Sequence, residues 1–173
     1  MLFRSRRVAV TPASRTSVWL LRVILRQRHG LEPEFYPRPP GAKLSEHEAM
    51  MLIGDEAIWY ATQHRPPALL DLGAAWWELT GLPFVYAAWA VQRGQAEPAL
   101  VKRLQQAKRD GLAHLDRIVQ DSTEATAEFR RAYLSKNVCF DLGPDAKQGI
   151  NRFQQTVCEM GLITKRHDIR YLA

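Results

Sequence analysis

The stretch Asp71-Leu72-Gly73-Ala74-Ala75-Trp76-Trp77-Glu78-Leu79-Thr80-Gly81-Leu82-Pro83-Phe84-Val85-Tyr86-Ala87-Ala88-Trp89 decides how the rest of this chain is read. Gly73 to Thr80 has the makings of a short helix that carries two adjacent tryptophans. Pro83 fixes φ and has no N–H to donate, so the Gly81-Leu82-Pro83 turn closes that helix and opens a new segment. From Phe84 to Val91 the apolar residues follow one another without polar alternation, which predicts a strand buried on both faces of a mostly parallel sheet. Adjacent residues cannot share a helix face. One of Trp76 and Trp77 is therefore expected in the core, and the other over a cleft or an interface. Asp71 reads as a polar contact or a cap for the helix that follows it.

Working outward toward the N-terminus, the same alternation of strand and helix recurs. Arg7 to Thr11 reads as a strand. Ser14 to His29 reads as a helix, with Val18, Leu21 and Leu25 at helical spacing, Ser14 able to cap it and Gly30 able to end it. Glu34 to Tyr36 is a short strand, Pro37 to Gly41 a Pro-rich loop and Ala49 to Ile53 an apolar strand. Asp55 is placed to cap a helix that runs to about His64, Arg65-Pro66-Pro67 breaks it, and Leu69 to Leu72 reads as another strand. Alternation of this kind argues for an α/β fold with a parallel or mixed sheet and covering helices. Beyond Gly94 the pattern becomes helical: Glu97 to Gln120, Ser122 to Tyr133, and Pro144 to Met160 with Gly161 as its C-cap. The expected organisation is an α/β segment at 1–91 and a helical segment at 92–173.

A chain of 173 residues can bury a real core, and 46% hydrophobic content is ordinary for a globular protein. Arg4, Arg6 and Arg7 are basic, but Thr11-Pro12 interrupts the apolar stretch behind them, so no signal peptide is read. The apolar runs are too short to span a bilayer. A cytoplasmic location and no membrane partner are expected. Cys139 and Cys158 make neither a disulfide framework nor a metal spacing, and the five histidines show no ligand spacing, so no metal is expected. The net charge of +6 comes from scattered basic residues, among them Arg22, Arg26 and Arg28 on one helix and Lys102, Arg103, Lys108 and Arg109 on another. Scatter of this kind is that of solvated helix faces, and no nucleic-acid partner is expected. A positive field also favours capture of a small dianion.

Ser14, Thr16 and Ser17 stand between a strand and a helix. The N–H groups of a first helical turn lack helical partners, and the positive end of the helix dipole lies behind them. The group is either an ordinary N-cap or a site for a carboxylate, with the hydroxyls of Thr16 and Ser17 as further donors. Asp55 holds the matching position at the next strand-to-helix turn, where it is a cap, a residue lining a ligand cleft at the carboxyl end of a strand, or both.

Three motifs together carry a resemblance. They are the 71–91 run, Val8-Ala9-Val10-Thr11-Pro12-Ala13-Ser14-Arg15-Thr16-Ser17-Val18, and Met51-Leu52-Ile53-Gly54-Asp55-Glu56-Ala57. In order and spacing they resemble the MqnA/MqnD family of menaquinone-biosynthesis enzymes. The Leu82-Pro83-Phe84-Val85 wording, followed by an aromatic residue, alanine and tryptophan, resembles that family's chorismate dehydratase branch. The resemblance implies two α/β lobes of the periplasmic-binding-protein type (type II) around a ligand cleft. On that map 1–91 is the second lobe and 92–173 is a helical return that packs on the first. The opening part of the first lobe is expected to be missing here, with Met1 to Ser5 falling well inside the family sequence.

The resemblance further implies conversion of chorismate to 3-[(1-carboxyvinyl)oxy]benzoate and water, in the futalosine route to menaquinone, without a cofactor. The substrate chorismate is the expected partner, with room for a homodimer. Ser14, Thr16, Ser17, Asp55 and Phe84 are the expected substrate-binding residues. The family's catalytic Asn has no counterpart in this sequence, so the catalytic residue stays unassigned and the isolated chain is expected to be impaired. The alternative reading is a small-carboxylate binding protein of the same fold that does not turn its ligand over.

Overall fold

A computed structural model describes residues 5–38, 49–64, 66, 68–92, 94–122 and 125–172. Residues 39–41 of the Pro-rich loop, together with Arg65 and Pro67 of the helix-breaking triplet, lie outside the described residues. The elements run in the order β1 (Arg7–Val10), α1 (Arg15–His29), β2 (Glu34–Pro37), β3 (Ala49–Met51), α2 (Gly54–His64), α3 (Leu72–Thr80), α4 (Pro98–Ala113), α5 (Leu115–Asp121), α6 (Ala127–Ala132), a π-helical turn (Tyr133–Asn137) and α7 (Pro144–Glu159). Contacts divide the chain into two compact units, residues 1–86 with 145–166, and residues 87–144 with 167–173. The chain is therefore α/β, with a small parallel sheet and mostly helices.

The first unit is built on a three-stranded sheet in the order β2-β1-β3. Both pairings are parallel, with Val8 opposite Phe35 and Ala49, and Val10 opposite Pro37 and Met51. Ser14 caps α1 by accepting from the Ser17 N–H, and Gly30 ends it in the left-handed conformation at φ 64°. Two apolar faces of α1 are buried. Leu21 and Leu25 pack with Val8, Val10 and Met51 of the sheet. Leu20, Val23 and Ile24 pack with Ala75 and Trp76 of α3 and Val157 of α7. α1 thus lies between the sheet and a layer formed by α3 and α7, and α7 belongs with the sheet rather than with the helices that precede it.

The two tryptophans separate as their adjacency requires: Trp76 is 0% exposed and Trp77 57%. Asp71 caps α3 by accepting from the Ala74 N–H at 2.8 Å, and Gly81 ends it at φ 67°. Thr80 completes the turn, donating to the Trp76 carbonyl and accepting from the Leu82 N–H.

Two expected strands are absent. Leu69 to Asp71 is irregular and α3 begins at Leu72, because the Asp71 cap draws the chain directly into the helix. Residues 84–91 are also irregular, and Tyr86 and Trp89 are 55% and 66% exposed. An unbroken apolar run reports a tendency to be buried, whereas a strand also needs a partner for its backbone N–H and C=O groups. Among the described residues only β1, β2 and β3 pair.

The second unit is helical. The expected helix at 97–120 is broken at His114, whose Nδ1 sits 2.7 Å from the Asp110 carbonyl oxygen. The next helix starts only at Ala127, where Thr126 caps it through the Phe129 N–H, and it ends in the π-helical turn. Arg130 holds α5 to α6 by donating from Nε and Nη2 to the Val119 carbonyl at 2.9 and 2.6 Å. Val119 is the buried apolar side chain of this unit among the described residues.

α7 reaches the 81–83 turn because residue 149 is glycine: a Cβ there would lie 2.2 Å from the Pro83 carbonyl oxygen. That oxygen belongs to a proline-fixed turn and cannot swing aside. Gly149→Ala should therefore destabilise the chain by about 1–3 kcal/mol despite alanine's better helix propensity. Gly111→Ala in α4, where a Cβ meets open space, should leave the thermal midpoint unchanged or raise it. Equal midpoints for the two variants in a thermal melt would contradict this account of the α7 contact.

Candidate functional site

Because all three strands are parallel, their carboxyl ends share one edge of the sheet, the edge at which open α/β sheets hold ligands. Thr11 follows β1, Arg38 follows β2, and Leu52 and Ile53 lead from β3 into α2. Two helix N-termini, those of α1 and α2, rise from the same edge.

At α1 the cap reading is realised in detail. The Ser14 hydroxyl accepts from the Ser17 N–H at 3.1 Å and donates to the Ser17 hydroxyl at 2.9 Å. Ser17 is buried, and its hydroxyl keeps its own proton to donate. Thr16 is exposed, so its hydroxyl faces solvent in the first turn. The Thr11 hydroxyl accepts from the Ala13 N–H at 3.2 Å and shapes the approach to the cap. Asp55 does not cap α2 as expected. The helix already begins at Gly54, at φ 59°, so Asp55 and Glu56 lie inside its first turn, where carboxylates suit the helix dipole.

Phe84 is not drawn to this edge by its contacts. Its ring packs edge-on against Trp76 (5.7 Å between centroids), Tyr86 (4.8 Å) and Phe153 (4.9 Å), as part of the core shared with α3 and α7. The structure thus brings Ser14, Thr16, Ser17 and Asp55 to one edge and holds Phe84 in an aromatic cluster.

Arg38 and Glu56 were not singled out from sequence. Their guanidinium and carboxylate form an ion pair at the same edge, with the Arg38 side chain only 16% exposed. The available signal was a cation placed directly after the short strand Glu34-Phe35-Tyr36-Pro37.

Among the described residues, no three His, Cys, Asp or Glu lie together as a metal site, and both cysteines are free thiols. No described helix is long and apolar enough to cross a membrane. In the second unit a shallow cavity of about 360 Å³ lies between the start of α4 and residues 170–172, lined by Val101, Lys102, Gln105 and Arg170 among others.

A family model described as menaquinone biosynthesis matches residues 2–159. The chain belongs to this menaquinone-biosynthesis family. A curated member, the chorismate dehydratase of Thermus thermophilus, is 39% identical over 142 residues, 72% of this chain and 50% of that protein. The chain therefore spans about half the length of this relative. All three motifs at 8–18, 51–57 and 71–91 fall within the part that the family model matches.

The Ser14 cap gives a direct test of the local build of the edge. Ser14→Ala should cost about 1 kcal/mol, whereas Ser14→Gly should cost only a few tenths. Thr16→Ala, at an exposed position without a capping bond, should change stability by less than either the cap or the core variants. Chemical denaturation of the three variants checks the order. A Thr16→Ala loss as large as that of Ser14→Ala would contradict it.

Proposed function

We propose that this chain serves the dehydration of chorismate to 3-[(1-carboxyvinyl)oxy]benzoate. The observation that carries the reading is the 39% identity over 142 residues with a chorismate dehydratase. The edge geometry supports it: a parallel sheet offers two helix N-termini and a string of hydroxyl donors to an anionic ligand, and chorismate carries two carboxylates. In this reading Thr16 and Ser17 donate hydroxyl protons to one carboxylate, and Ser14 holds Ser17 in place. Asp55 faces the ligand from the first turn of α2.

Loss of water takes one ring proton and the ring hydroxyl from chorismate, and the electron pair left by the proton completes the aromatic ring. Positioning and fixed donors are the means by which such residues favour the step. The proton acceptor is not assigned to a residue of this chain. No cofactor is part of the scheme.

The finer fold reading belongs to the same proposal. Residues 1–91 form the second lobe of a periplasmic-binding-protein-like (type II) fold, and a helical return begins near residue 92, whose last helix packs on α1 and α3. Apolar side chains left exposed on the second unit, among them Leu100, Leu112, Ile118 and Phe140, support its packing against a further surface. We place the protein in the cytoplasm, where its two free thiols are stable. The alternative of a carboxylate-binding protein without turnover is not favoured, because the relative is named as a dehydratase.

A chimera tests the reading. The matched segment of the Thermus enzyme is replaced by the corresponding segment of this chain, and product is followed by chromatography. The chimera should retain turnover within about tenfold, a loss of no more than ~1.4 kcal/mol in transition-state stabilisation. A folded chimera that binds chorismate without converting it would favour the binding-protein alternative.

A further inference from the structure

The carboxyl edge of the sheet holds a cation for which neither the cap of α1 nor the sheet has a use. The geometry points to Arg38 as the residue that takes up a carboxylate of the substrate, with Glu56 as the internal counter-ion which that carboxylate displaces. This inference rests on the reading of the edge as the substrate site, and it adds a specificity-determining residue to it.

Arg38 is fixed at its base. Its backbone N–H donates to the Val10 carbonyl at 3.0 Å, continuing the β1–β2 ladder by one residue beyond the strands. Its guanidinium pairs with Glu56 in the first turn of α2, the helix that follows β3. β2 and β3 lie on opposite sides of β1, about 9–10 Å apart by ordinary strand spacing. The side chain therefore passes over the carboxyl end of the central strand, beside the start of the loop that leads to Ser14.

The pair is unlike the other ion pairs of this unit. In Arg7 with Glu34, Arg26 with Glu32 and Arg28 with Glu78, each partner keeps 40% or more of its side chain exposed. Arg38 is largely buried, and Glu56 is 46% exposed. The contact uses Nη2 and one oxygen of Glu56, whereas the buried Nε–H has no acceptor among the described residues. Arginine offers Nε–H and Nη–H as a planar fork that matches both oxygens of one carboxylate. Glu56 satisfies one arm of that fork and leaves the other empty. A buried donor without an acceptor is unfavourable, and an incoming carboxylate that takes both arms removes the deficit. Glu56 loses little on release, because its carboxylate already reaches water.

Two consequences follow that a purely structural ion pair would not have. Removing the arginine weakens carboxylate binding. Removing the charge of Glu56 strengthens it, because the competing internal anion is gone.

The test uses the full chain, labelled with ¹⁵N, and isophthalate, a stable aromatic dicarboxylate that separates binding from turnover. The Arg38 Nε–H signal is identified by its loss in R38K. It should move saturably as isophthalate is added. R38Q should raise the isophthalate Kd at least tenfold, R38K should fall between R38Q and the parent, and E56Q should lower the Kd about threefold or more. A stationary Arg38 signal, or an unchanged Kd in R38Q together with no gain in E56Q, overturns the inference. Chorismate is titrated in parallel. Movement with isophthalate and none with chorismate keeps the carboxylate site and removes chorismate as its ligand, so the two readings fail separately.

Discussion

Burial of α1 on two sides is the constraint on which the first unit depends. Leu21 and Leu25 face the sheet, while Leu20, Val23 and Ile24 face α3 and α7. Each such side chain contributes about 1.5–3 kcal/mol when fully removed from water. With two opposed apolar faces the helix can neither roll nor slide without uncovering one of them. Its solvent face carries the charges instead, with Arg22 set over the Phe35 ring at 4.2 Å and Arg28 paired to Glu78. The position of the α1 N-terminus, and with it that of Ser14 and Ser17, is therefore set by packing some way along the helix from the residues that would meet a ligand.

The layer over α1 has its own fixed point. Trp76 meets Phe84 and Phe153 edge-on at 5.7 and 5.8 Å, so α3, the 81–83 turn and α7 share one aromatic cluster. The turn is held from two directions, by the Thr80 hydroxyl and by the close approach of Gly149. The 71–91 run thus ties the covering layer together. On the function proposed above, the hydroxyls, the carboxylates and the mostly buried Arg38 at the sheet's carboxyl edge serve a small anionic ligand.

Much of this was legible in the sequence, and the misses share a cause. Ser14 and Gly30 mark the ends of α1 because caps are local chemistry, and Trp76 and Trp77 divide because adjacency alone separates helix faces. The strands expected at 69–72 and 84–91 failed because apolar content does not supply a pairing partner. The helix expected at 97–120 broke at His114, whose Nδ1 and backbone N–H both lie against the Asp110 carbonyl, a local contact that no periodicity records. Asp55 falls inside the first turn of α2 rather than before it, since α2 already begins at Gly54. Arg38 was missed outright. Its meaning comes from an ion pair that crosses the central strand, between residues 18 apart in the chain.

The central claim is that the carboxyl edge of the sheet is the substrate site. The most direct measurement is an amide chemical-shift map of the ¹⁵N-labelled chain on titration with chorismate. The account predicts saturable shifts concentrated at residues 11–17, 38 and 54–56. Shifts confined to the cavity at residues 96–105 and 170–172, or no saturable shifts at all, would contradict it.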